Sequence, residues 1–213
     1  MTFTPRVVPF GERALFVEVA DAFSEDAVAW SRAIADGWES GGSGVAVPAY
    51  ASVVLRYDPD VLEASDAERR ARELIAAVRR GTARSGGPRL IEVPTRYDGP
   101  DLADVAARSR MSVDELAATH AGRDYTAYFL GFMPGFAYCG RLDAAIVAPR
   151  LLRPRERVPA GAVAIADGQT AVYPFTSPGG WCLIGSADIR LFDPSREDAV
   201  LIRPGDRVRF VRT

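Results

Sequence analysis

Residues 120–143, HAGRDYTAYFLGFMPGFAYCGRLD, and residues 154–181, PRERVPAGAVAIADGQTAVYPFTSPGGW, decide the architecture of this chain. Glycine and proline recur there at positions that weaken regular pairing, so the backbone is held in specific loop shapes rather than long helices. The apolar runs between them are short. The turns Asp167-Gly168, Pro178-Gly179-Gly180 and, further on, Pro204-Gly205-Asp206 cut the chain into strand-sized pieces. That pattern predicts a compact β-barrel or sandwich with strands at Val163–Ile165, Thr170–Tyr173, Leu183–Gly185, Arg190–Phe192 and Val208–Val211. The aromatics Tyr125, Tyr128, Phe129, Phe132, Phe136 and Tyr138 read as core, with Tyr128, Leu130 and Phe132 on one strand face.

Upstream of this stretch the chemistry is helical. Ser112 with Glu115 forms a capping box for a short helix that ends at His120, and another short helix spans Asp101–Arg108 after an extended Leu90–Tyr97. Residues 81–88, GTARSGGP, favour a linker. The boundary is placed there, giving domains 1–84 and 85–213. In the first domain, short strands at Arg6–Phe10 and Ala14–Val19 flank the Gly11-Glu12 turn, and a third covers Ser52–Tyr57. Ser24 caps a helix whose apolar face is Ala27, Trp30, Ile34 and Trp38, ended by the Gly-Gly-Ser-Gly stretch at 41–44. A second helix is expected from a Ser65/Glu68 capping box, with Arg79 and Arg80 opposing the dipole and Gly81 as its left-handed end. The fold class is α+β, a small α/β sandwich followed by a β-rich domain.

Composition excludes several chemistries. All 26 basic residues are arginine, so this sequence offers no P-loop lysine, Schiff base, Ser-Lys apparatus or biotin-carrying lysine. A net charge of -2, with the densest basic stretch (Arg150, Arg153, Arg155, Arg157) broken by prolines and Glu156, argues against a nucleic-acid surface. Cys139 and Cys182 are too far apart for a C-x-x-C motif and read as reduced, semi-buried thiols. With His120 as the sole histidine, no zinc site of His and Cys ligands at ordinary spacing is expected. Met1–Phe10 carries no basic region leading into an apolar run, and no apolar stretch approaches the roughly 20 residues of a membrane span, which leads to a cytoplasmic expectation.

The motifs GFMPGFAYCG, VPAGAVAIADGQT and SPGGWCLIG, with RVVPFGERALFVEV, PAYASVVLRYDP and GDRVRF, make the chain similar over nearly its whole length to one family. That family includes the B subunit of 5-oxoprolinase, the small subunit of the allophanate hydrolase pair, and the KipI inhibitor of a histidine kinase. The resemblance implies a KipI-like N-terminal domain followed by a cyclophilin-like barrel, and related sequences occur in the carboxyltransferase region of urea amidolyase. The loop YDGPDLADVA is shorter than is usual in the family, and neither cysteine sits where a fixed one is expected.

Carried over by position, the resemblance makes His120 the catalytic candidate. Gly131, Pro134, Gly135, Arg157, Pro159, Gln169, Ser177, Gly179 and Gly180 become the substrate-binding candidates. At a helix end, His120 is expected to favour its protonated form and donate to an anion, the alternative being a structural histidine. Arg157 can clamp a carboxylate or phosphate with its planar fork, or stand as a solvated charge. Gln169 can both donate to and accept from an amide, or serve its own turn. Ser177 with Pro178-Gly179-Gly180 can present backbone N–H groups to an anion, or form a tight hairpin turn. The resemblance implies an ATP-dependent 5-oxoprolinase, a hetero-oligomer in which this chain acts with C-type and A-type partner subunits. Mg–ATP then belongs to the complex, and no cofactor is covalently attached to this chain. The alternatives are a histidine-kinase-binding inhibitor and a urea- or allophanate-type subunit.

Overall fold

Alternation of apolar and polar residues builds the first sheet. The computed structural model describes residues 3–81 and 87–213 and divides into two compact units, Met1–Gly87 and Pro88–Thr213. Residues 82–86 of the expected linker, and with them the boundary between 84 and 85, lie outside the described residues. In the first unit β1 (Arg6–Pro9), β2 (Ala14–Glu18), β3 (Ala46–Pro48) and β4 (Ser52–Arg56) form an antiparallel sheet in the order β1-β2-β4-β3. Leu15, Val17, Val53 and Leu55 pack in one core with Ile34 and Trp38 of α1 (Glu25–Ser40) and Ala71 and Ile75 of α2 (Ala64–Arg79).

The capping expectations divide. Ser24 accepts a hydrogen bond from the Ala27 N–H and starts α1, as expected. The capping box at Ser65 does not form: α2 begins two residues earlier, Glu63 is the N-cap, and its side chain makes no capping hydrogen bond. Burial of Leu62 takes the place of the box, because Leu62 before the cap and Ala67 in the helix share the core and fix how the chain enters. Glu68 pairs instead with Arg72 along the helix. Gly81, at φ +72°, ends α2 in the left-handed conformation expected of it.

The second unit runs β5 (Leu90–Thr95), α3 (Leu102–Arg108), α4 (Val113–Ala121), β6 (Asp124–Leu130), β7 (Ala137–Gly140), β8 (Arg155–Val158), β9 (Ala162–Ala166), β10 (Gln169–Val172), β11 (Ser177–Gly179), β12 (Cys182–Ser186) and β13 (Arg207–Arg212). Seven of these strands form one sheet in the order β12-β9-β10-β7-β6-β13-β5, parallel only between β13 and β5. The sheet curls until its ends nearly meet. Just beyond β5, Arg96 exchanges two backbone hydrogen bonds of 2.8 Å with Ser186 of β12. A side chain at Gly185 would collide with the Arg96 carbonyl, so this seam needs a glycine. Asp167 and Gly168, both at positive φ, make the tight turn that joins β9 to β10 in register.

Three expectations fail in this unit. Arg190–Phe192 is not a strand; only Phe192 bridges, to Val200, because the Asp193 carboxylate takes Ser195 N–H and Oγ and turns the chain away. Pro178-Gly179 is no hairpin turn: Ser177–Gly179 is itself a strand, paired with β8 in a separate two-stranded sheet. Phe132 is not on the face of Tyr128 and Leu130. The strand ends at Leu130, hydrogen bonds from Met133 to Gly131 and from Phe136 to Met133 coil the chain, and Phe132 sits at φ +68° and is 61% exposed. Among the described residues no helix is long and apolar enough to cross a membrane.

Candidate functional site

The barrel sheet is buried on both sides along β9, and that double burial builds the site. Val163 and Ile165 point to the main core with Val172, Cys182 and Phe210. Ala162, Ala164 and Ala166 point the other way, where Phe136, Tyr173, Trp181 and Val158 cover them. The alanines are small because rings lie directly on them. Phe136 contacts Tyr138, Tyr173 and Trp181 edge-on at centroid separations of 4.9 to 5.8 Å, and Phe129 stacks on Tyr138 at 4.4 Å. The Arg150 guanidinium lies 5.6 Å from the Trp181 ring and pairs with Asp167 at 2.9 Å.

The β8–β11 pair forms a flap on this layer. Ser177 is registered opposite Val158, so Arg157 and Pro159 flank the residue facing Ser177, and Gly179 lies opposite Arg155. The structure therefore brings Arg157, Pro159, Ser177, Gly179 and Gly180 together. Gly131, Pro134 and Gly135 form the coil between β6 and β7, and they approach the flap through rings: Phe132 contacts Phe136 at 5.5 Å and Tyr173 at 6.4 Å. Two of the glycines have packing reasons. A side chain at Gly179 would overlap the Tyr173 hydroxyl, and Gly135, at φ +80°, lies against Leu191 and Phe192. The close approach expected at Gly179 is thus to a tyrosine of this chain.

Arg157 differs from most arginines of the unit. Arg89, Arg96, Arg123, Arg150, Arg155, Arg190, Arg203 and Arg209 all pair with carboxylates. Arg157 is exposed and has no acidic partner among the described residues. Gln169 does not join it. It opens β10 opposite Gly140, four residues before Tyr173, or about 13 Å along a strand at the usual rise.

His120 is the largest correction to the candidate set. It lies inside the barrel with no exposed surface, its ring 4.5 Å from that of Phe210. Nδ1 is 2.8 Å from the Tyr97 hydroxyl and Nε2 is 2.9 Å from Thr170 Oγ1. Thr170 donates to the Ala164 carbonyl, which orients the chain so that Tyr97 donates to Nδ1 and Nε2–H donates to Thr170. Burial holds the imidazole neutral, its pKa lowered to about 3. A helix end offers a cation at most about 2 kcal/mol, which desolvation of this size outweighs. The expected protonated, anion-facing histidine is replaced by a neutral one with both nitrogens bonded internally. Cys139 is equally enclosed, with burial pushing its thiol up to about 12, and burial raises Cys182 as well. The thiols are buried rather than half-buried and have little thiolate character at neutral pH.

Two residues of the site, Asp101 and Arg155, escape a reading of the sequence. Asp101 accepts from Arg155 Nη2 at 2.5 Å and from the Leu183 N–H at 2.6 Å. In the sequence Asp101 shows only as the start of a helix, and Arg155 only as part of a basic stretch. No local pattern signals a contact between residues 54 positions apart.

A two-unit chain whose barrel-like sheet carries a roofed outer face is the class that fold and site define. The chain belongs to the family described as carboxyltransferase domain, subdomain C and D, whose model matches residues 5–202. It is 49% identical over 126 residues to the B subunit of 5-oxoprolinase from Escherichia coli O157:H7. That match covers 58% of this chain and 58% of the relative, so the chain covers less than two thirds of it. The crystal structure of TTHA0988 superposes with a TM-score of 0.84 at 38% identity, over 94% of this chain and 40% of that one. The Kluyveromyces lactis urea amidolyase shares the fold, with a TM-score of 0.70 at 13% identity over 98% of this chain and 15% of that one.

Proposed function

We propose that this chain acts as the B-type component of an ATP-dependent 5-oxoprolinase, opening 5-oxo-L-proline to L-glutamate together with C-type and A-type partner subunits. The observation that carries the reading is Arg157, a flap cation with no acidic partner among the described residues, in a chain so similar to named 5-oxoprolinase B subunits. The substrate is a small lactam bearing a carboxylate. Arg157 would take that carboxylate through its fork of donors, with Ser177, Pro159 and Gly180 beside it and Gly131, Pro134 and Gly135 shaping the approach. Gly179 and Tyr173 hold the flap's shape. His120 does not touch substrate in this reading, and Gln169 stands away from the flap.

The site is proposed to be completed by another polypeptide. Phe175, 43% exposed, lines a cleft of about 460 Å³ with Pro174, Asp188, Ile189, Arg190, Phe192 and Pro194, and Phe132 in the coil between β6 and β7 is 61% exposed. Exposed aromatics around a concavity suit a protein interface. Mg–ATP is proposed to belong to the complex, since this chain carries no recognised nucleotide motif. Among the described residues no three His, Cys, Asp or Glu side chains cluster as a metal site, and the sequence has no lysine. What this chain is proposed to contribute is binding and orientation of the lactam.

Reconstitution tests the reading. The three-component complex is expected to release glutamate from 5-oxoproline only with ATP and only when this chain is present. Arg157→Gln is expected to raise KM for 5-oxoproline about ten-fold or more. Turnover that persists without this chain ends the proposal, and unchanged kinetics in the variant would favour a module that only docks on a protein.

A further inference from the structure

We infer that Asp101 and Arg155 are a positioning pair that sets the β8–β11 flap, and with it Arg157, for the substrate; this rests on the function proposed above. The flap is not a continuation of the barrel. It is a two-stranded sheet of its own, with an irregular register between Ser177 and Gly179, so the seven-stranded ladder does not fix where it lies. Apolar contact through Val158 seats it on the aromatic layer, but such contact is non-directional. Direction comes from Arg155, which donates to Asp101 Oδ1 at 2.5 Å and more loosely to the Trp181 carbonyl at 3.5 Å.

Asp101 is itself immobilised. Its N–H donates to the Leu183 carbonyl at 3.0 Å, while its second carboxylate oxygen accepts from the Leu183 N–H. One carboxylate thus ties the flap to β12, at the seam where the barrel closes. The side chains of Asp101 and Arg155 are 13% and 28% exposed, enclosed enough for the pair to escape most solvent screening. Arg155 and Arg157 lie two residues apart on one short strand. Fixing the first guanidinium fixes the backbone from which the second reaches out. Asp101 and Arg155 act through Arg157 and touch no substrate.

The test uses the assembled three-component complex. Asp101→Asn keeps an oxygen for the Leu183 N–H but can turn an amide N–H toward Arg155, so it breaks the ion pair with little other change. In Asp101→Asn and in Arg155→Met, KM for 5-oxoproline is expected to rise about ten-fold while kcat stays within about two-fold. The double variant is expected to be no worse than either single one, and Arg155→Lys to recover part of the loss. Hydrogen exchange should accelerate at the amides of β8 and β11 and not at those of β9 and β10.

An Asp101→Asn complex with wild-type KM, or effects that simply add in the double variant, would overturn the positioning role while leaving the oxoprolinase reading intact. A wild-type complex that releases no glutamate overturns that reading, and the positioning proposal with it. If Arg155→Met fails to assemble, Asp101→Asn and Arg155→Lys decide the matter on the same measurements.

Discussion

β4 and β9 are both five-residue strands rich in small and branched side chains, yet they live in different surroundings. In β4, SVVLR, only Val53 and Leu55 are buried, while Val54 is half-exposed on the face away from the helices. In β9, AVAIA, every residue is buried. The first strand has one core to serve. The second separates two, with branched residues inside the barrel and alanines beneath a layer of rings. The outside of a barrel becomes interior where a flap and its aromatics cover it, and size alternation replaces polarity alternation as the record of that burial.

The sharpest way to break this comparison is to thin the covering layer. Trp181→Ala removes the ring that meets Phe136 and Tyr138, and a loss of about 3–5 kcal/mol is expected in urea unfolding followed by circular dichroism. A loss near zero would mean that the outer layer is surface. One enlargement made twice sharpens the contrast. Ala164→Leu is expected to cost about 1–3 kcal/mol, because rings occupy the space it needs. Val54→Leu on the open face of β4 should stay within about 0.5 kcal/mol.

The inner face of the barrel carries a pH signature that the N-terminal sheet has no histidine to match. Unfolded, His120 titrates at its ordinary value of about 6.5, but in the fold only at about 3. As pH falls, the unfolded chain therefore takes up the proton first. Its contribution is intact above pH 6.5 and lost below, at about 1.4 kcal/mol per pH unit, or roughly 2 kcal/mol between pH 6.5 and 5. His120→Gln should flatten the stability–pH curve in that window, and an unchanged slope would contradict the buried neutral histidine. The smallest expected effect compares helix starts. Ser112→Ala, which breaks a complete capping box, should cost about 1 kcal/mol in thermal or urea unfolding. Ser65→Ala should cost close to nothing, since Ser65 caps no helix.

Local rules were legible where one element answered to one neighbour. The cap at Ser24, the box at Ser112 and Glu115, the turn at Asp167-Gly168 and the left-handed Gly81 all involve residues within a few positions of each other. They failed where a distant contact overrode the local one. Leu62 found a core and displaced the expected cap at Ser65. The 193–195 turn took Arg190–Phe192 out of the sheet, and a basic stretch and an SPG turn became two paired strands. The candidate site was half legible. Its residues came from motifs that the fold gathers around the flap, but the histidine singled out for its charge lies in the core, and Asp101 was invisible.

By itself the sequence determined the two-part α+β layout, the helix ends, the exclusion of lysine chemistry and a short set of motif residues, because each is carried by composition or near neighbours. Only the tertiary structure decided that the barrel's outer face is buried, that His120 is neutral, that Arg157 has no acidic partner among the described residues and that Asp101 reaches Arg155. Those outcomes depend on desolvation and on contacts between residues far apart in the chain, neither of which a linear pattern encodes.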